Sequence, residues 1–121
     1  MALYTTYYFQ AESGRIPVKE FINSLDDRTQ RKFFYVRALL EEFGYRLPLP
    51  HAKHIGDEIF ELRFSGAVGS IRILYFFFHR ESIVFTNGFI KKSNRLPKKE
   101  KIIAIERMKV FLENQKKEGV K

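Results

Sequence analysis

Residues 59–78 read IFELRFSGAVGSIRILYFFF. Phe60, Leu62 and Phe64 alternate with Glu61 and Arg63, the period-two pattern of a strand with one buried face. Gly66-Ala67-Val68-Gly69 is a flexible turn. From Ile71 to Phe78 the chain is apolar on both faces apart from Arg72, which predicts a central strand. If the turn closes a symmetric hairpin, Arg63 stands opposite Arg72 on one face. Like charges directly opposite on a sheet repel, so the pair points to an anion between them, such as a phosphate. The other reading is that each pairs with a carboxylate, Glu61 being the obvious one. A bulge in the turn would reverse the faces and remove the inference.

Beyond the hairpin, Ile83 to Ile90 reads as another strand. A helix is expected from about Pro97 to Leu112, with Ala104, Ile105, Met108, Phe111 and Leu112 on one face. The polar tail from about 113 is expected to fray. Before the hairpin, Tyr45 to Gly56 holds Pro48 and Pro50 and reads as an extended loop. At the N-terminus, residues 3–9 (LYTTYYF) predict a strand, broken at Ser13-Gly14. Pro17 suits a first helical position, and Val18, Phe21, Ile22 and Leu25 recur at helical spacing. Asp26-Asp27 can cap a second helix whose apolar stripe is Phe33, Val36, Leu40 and Phe43. Gly44 is its natural stop. The order β-α-α-β-β-β-α predicts an α+β fold: a small, mainly antiparallel sheet with an N-terminal helical hairpin and a C-terminal helix.

A chain of 121 residues suits one domain, taken as 1–121. Its aromatic content of 16% supplies a core and argues against disorder. There is no cysteine, which excludes disulfides and thiolate metal sites. The N-terminus lacks the basic-then-apolar pattern of a signal peptide, and the longest apolar run, Ile73 to Phe78, is too short to span a bilayer. No membrane association and a cytoplasmic location are therefore expected. The net charge of +8 makes nucleic acid or the ribosome the natural partner; a merely solubilising surface is the plainer reading.

A basic run follows the last strand: Lys91, Lys92, Arg95, Lys98, Lys99 and Lys101, interrupted by one acid, Glu100. Such runs are usually solvated faces. Here the run leaves the sheet near the arginine pair, as a phosphate-tracking groove would. Phe89 reads two ways, as a core residue or, if exposed, as a platform for a base. His51 and His54, with Asp57 and Glu58 nearby, are metal-ligand types at generic spacing without a third compelling ligand, so no metal is expected. Lys53 or His54 could instead face RNA as a proton-transfer group. His79 belongs at a strand edge. Phosphate-cradling loops and the serine-hydrolase elbow are absent, which argues against nucleotide-driven and acyl-transfer chemistry.

The stretches PVKEFINSL, IFELRF, SIRILYFF and NGFIKKSNRLP, in this order, resemble the RelE/ParE toxin superfamily and most of all its HigB-like, phage-derived branch. The resemblance covers roughly residues 3–112. Its most specific pieces are Glu61-Leu62-Arg63, Arg72 with Tyr75, and Gly88-Phe89 followed by Lys91-Lys92. It implies the toxin of a type II toxin–antitoxin system, a metal-independent endoribonuclease that cuts mRNA on the ribosome and inhibits translation. No cofactor is implied, and the expected partner is a helix-turn-helix antitoxin. Arg63, Arg72 and Lys92 would be catalytic; Lys53, His54, Lys91, Arg95 and Phe89 would meet RNA. Some relatives carry a late Tyr or His as general acid, whereas SNRLPKKEK after Lys92 has neither; His54 is a substitute. A ParE-like gyrase inhibitor and a non-catalytic RNA- or partner-binding relative are the alternatives, since one fold hosts all three.

Overall fold

The computed structural model describes residues 2–119. Along the chain run β1 (Thr5–Tyr8), α1 (Pro17–Asn23), α2 (Asp27–Phe43), a 3₁₀ turn (Gly44–Arg46), β2 (Ala52–Gly56), β3 (Ile59–Gly66), β4 (Gly69–Phe78), β5 (Ser82–Lys91) and α3 (Lys98–Gly119). The strands form one sheet in the order β1-β5-β4-β3-β2. All neighbours are antiparallel except β1, which runs parallel to β5. The fold is α+β, as the pattern predicted, with one strand more. Part of the expected 45–56 loop is β2, the edge strand paired to β3. Its turn is only Asp57-Glu58, both at positive φ (54° and 66°), the requirement of a two-residue turn that follows the sheet twist. No described helix is long and apolar enough to cross a membrane.

Alternation along the strands gives the sheet two apolar faces. Leu62, Ile71, Ile73, Tyr75, Ile83 and Phe85 pack against Val18 and Ile22 of α1 and Phe33, Val36 and Leu40 of α2. Ile59, Leu74, Phe76, Val84 and Phe89 point the other way and pack with Ala104 and Met108 of α3. Phe43, expected in the α2 stripe, and Leu112, expected in that of α3, are both exposed. The last helix also continues to Gly119 instead of fraying after Leu112, because Glu113, Gln115, Lys116, Lys117 and Glu118 are good helix formers.

Both ends of α2 are fixed by local chemistry. Gly44 ends it at φ 54°, and the Tyr4 ring occupies the space a Cβ would need. At the start, Asp26 accepts from the Thr29 hydroxyl (2.6 Å) and from its backbone N–H (3.2 Å). These bonds, the hydroxyl first, hold the Asp26 carboxyl below its ordinary pKa. A lowered folded pKa means that the cap stabilises the fold above the unfolded-state value and stops doing so as pH falls through the folded one. Asp26→Ala should therefore lower the urea midpoint at neutral pH, and the gap to the parent should close on acidification.

A bulge fixes where α3 lies. The β4–β5 register slips between Leu74 and Tyr75, whose partners are Asn87 and Phe85, leaving Thr86 extra. The freed Thr86 carbonyl accepts from Arg107 Nη1 (2.8 Å). Asn87 Nδ2 donates to the Glu100 carbonyl and side chain (3.1 and 3.0 Å). Lys101 reaches Asp57 in the β2–β3 turn at 2.9 Å. These ties seat the first turns of α3 over β5.

Candidate nucleic-acid interface

The hairpin closes symmetrically. Gly66 pairs with Gly69, Ser65 with Ser70 and Arg63 with Arg72, with no slip. On its other side β3 donates Arg63 N–H to the His51 carbonyl at 2.8 Å. Arg63 and Arg72 are therefore a non-hydrogen-bonded pair, the kind that brings side chains closest. Both lie on the α3 side of the sheet, and register puts Lys53, opposite Glu61, on the same face. Phe89, opposite Arg72, and Lys91, opposite Ser70, complete it on β5.

The carboxylate reading of the arginine pair is met, but by a single carboxylate. Glu61 Oε1 lies 3.6 Å from the Nε of Arg63 and 3.6 Å from that of Arg72. One carboxylate thus faces two guanidiniums, and one positive charge is left over. Arg72 side-chain exposure is 8% and that of Glu61 is 5%, against 29% for Arg63. Arg72 Nη1 donates to the Ile71 carbonyl at 3.0 Å, which fixes the guanidinium. Its Nε is buried and has no hydrogen-bond partner among the described residues. Burial first, then the Arg63 charge, pushes the Arg72 guanidinium below its ordinary pKa, with Glu61 opposing. An orphaned buried donor on a desolvated cation costs stability, and an incoming anion oxygen would satisfy it.

The pair opens into a cleft of about 660 Å³ at the free edge of β3. Strand β2 stops pairing at Ala52, opposite Leu62. Beyond that point Ser65 and Ser70 line one wall, Lys32, Tyr35 and Val36 of α2 another, and Leu49, Pro50 and His51 the third.

Among the residues expected to touch RNA, Lys53, Lys92 and Arg95 are exposed and Lys91 is half-buried. Two of the expected residues do not stand exposed beside the arginines. Phe89 is only 8% exposed and belongs to the core under α3, so it offers no face for a base. His54 pairs with Phe60 and stacks on it at 4.5 Å, which puts it on the opposite face from the arginines. The histidine that lines the cleft with Arg63 and Arg72 is His51. The sequence offered His51 only as a metal-ligand type beside His54, and Tyr35 did not stand out. An aromatic on the solvent side of an amphipathic helix was the one available signal. Among the described residues no three His, Asp or Glu side chains stand together as a metal site would need.

Residues 20–109 match the family described as phage derived protein Gp49-like. The chain belongs to this family. The Gp49-like family is toxin-like, of the RelE/Gp49 type, which supports the wider toxin superfamily in broad terms. The matched region holds the hairpin, the cleft residues of α2 and the basic segment after β5. No curated protein matches the chain.

Proposed function

We propose that this Gp49-like protein is the toxin of a type II toxin–antitoxin pair of the HigB-like kind, acting as one domain over 1–121. Its activity is metal-independent cleavage of mRNA on the ribosome. The observation that carries the reading is the doubled arginine at one carboxylate, with a buried Arg72 Nε that makes no hydrogen bond among the described residues. In the proposed reaction a ribose 2′-hydroxyl attacks the adjacent phosphorus. The new P–O2′ bond forms, the P–O5′ bond breaks, and a 2′,3′-cyclic phosphate and a 5′-hydroxyl result. One proton leaves the 2′-oxygen and one reaches the 5′-oxygen. Arg63 and Arg72 stabilise the charge that grows on the non-bridging oxygens, a role preorganised cations perform without reorganising. Lys92 assists there, while Lys53, Lys91 and Arg95 hold the backbone. His51, in the same cleft, is the imidazole at hand for proton transfer.

The antitoxin proposed is a small helix-turn-helix protein with an acidic segment that covers the basic face. A relative that binds RNA without cutting it is favoured by one observation: residues 92–97 (KSNRLP) carry no Tyr or His.

The test is a defined bacterial translation reaction on one labelled mRNA with 5′-end mapping, run with and without ribosomes. New ends that need ribosomes support the nuclease; intact messages with binding retained favour the binder. Within that assay His51→Ala should slow cleavage by about 10²-fold, at the low end for a lost acid–base group because water can relay the proton. His54→Ala should leave the rate unchanged.

A further inference from the structure

We propose that the cleft between α2 and the free edge of β3 is a base-binding subsite, which seats the nucleobase of the nucleotide whose phosphate rests on Arg63 and Arg72. This deepens the reading of the arginine pair as a phosphate site and rests on it.

The cleft is bifunctional. Arg63 and Arg72 line it, and the buried Arg72 Nε makes no hydrogen bond among the described residues. The rest of its lining is mainly apolar, from Tyr35, Val36, Leu49, Pro50 and Phe64, with Lys32 of α2 as a further cation. Tyr35 is 62% exposed and Leu49 57%, on two separate elements at one rim. Bare phosphate would use only the cations of the cleft and leave its apolar surface unmet. A nucleotide is the ligand that needs a cation and an apolar slot side by side, and about 660 Å³ lies within the usual range for small-molecule sites. Tyr35 offers a ring for stacking, which tolerates any base.

The edge of β3 supplies what stacking lacks. Arg63 N–H bonds outward to His51, so alternation turns the N–H and carbonyl of Ser65 outward as well. There β2 has already ended, and Ser65 lines the cleft. An N–H and C=O turned outward in line are a donor–acceptor pair that a base edge can match. The serine hydroxyls at 65 and 70 add adaptable partners.

The experiment is titration of the full chain, at fixed ionic strength, with inorganic phosphate and with each of the four ribonucleoside 5′-monophosphates. It uses the parent, Tyr35→Ala and Arg72→Ala, each checked for folding by circular dichroism. Nucleotides should bind at least about tenfold more tightly than phosphate, the value of one stacked base. Tyr35→Ala should erase that advantage and leave phosphate binding alone. Arg72→Ala should weaken both. Equal affinity for phosphate and nucleotides, or a nucleotide advantage that survives Tyr35→Ala, overturns the subsite while the arginine site stands. Loss of all binding in the parent overturns both. Tyr35-dependent nucleotide binding by a protein that cuts no mRNA upholds the subsite and removes the nuclease.

Discussion

Arg72→Ala should lower the rate of ribosome-dependent cleavage by about 10³-fold, the upper range for loss of one preorganised charge donor, while the protein stays folded. The large kinetic effect follows from burial. Arg72 sits in a desolvated position, locked by the Ile71 carbonyl, with a buried Nε that faces Glu61 at 3.6 Å but makes no hydrogen bond among the described residues. Charge stabilisation from such a position is strong because little solvent screens it. The small structural effect follows from the charge count. Without Arg72, Glu61 still has Arg63 at 3.6 Å, and the repulsion between the two guanidiniums disappears. Melting of the variant should therefore stay within about 1 kcal/mol of the parent in stability. Arg72→Lys should recover little, since an ammonium cannot copy the planar fork. A variant that still cuts at the parental rate would remove Arg72 from the chemistry.

How much was legible beforehand depends on how local each signal was. The β3–β4 hairpin was read with its register because Gly66 and Gly69 flank a two-residue loop and the alternation on both sides agrees. That placed Arg63 against Arg72, the core of the candidate site. Strand β2 was hidden. It follows two prolines, exposes Lys53 and His54 at the sheet edge as edge strands often do, and turns on Asp57-Glu58, which is not one of the sequence signatures of such turns. Reading that segment as a loop left its side chains without faces. His54 was then as good a candidate as His51, although His54 lies within β2 on the face of Phe60 while His51 sits in the turn before the strand. Phe89 could not be placed either. Its burial comes from α3 crossing β5, and the ties that seat α3 depend on the Thr86 bulge. Tyr35 joins the site only through tertiary packing, which no periodicity encodes.

Glu61→Ala should destabilise the fold by about 3–5 kcal/mol, the usual cost of removing one member of a buried ion pair, and at the same time tighten anion binding. The carboxylate is the one counter-charge within 4 Å of either guanidinium among the described residues. Removing it leaves two like charges directly opposite, one of them buried. Denaturant midpoints would give the loss, and sulfate or phosphate should restore part of it by binding the folded state where the carboxylate had been. Adding Arg63→Ala to Glu61→Ala should also recover stability, because the repulsion then has no second partner. Glu61→Gln should fall between, keeping volume and one acceptor without the charge. Phosphate and RNA compete with Glu61 for the same cations, so the alanine variant should bind both more tightly than the parent while melting lower. That opposition separates two roles for the carboxylate. If it neutralises the empty site, stability and anion affinity move in opposite directions. If it mainly orients the arginines, both fall together, and the geometry of the pair then depends on Glu61 even when substrate is bound.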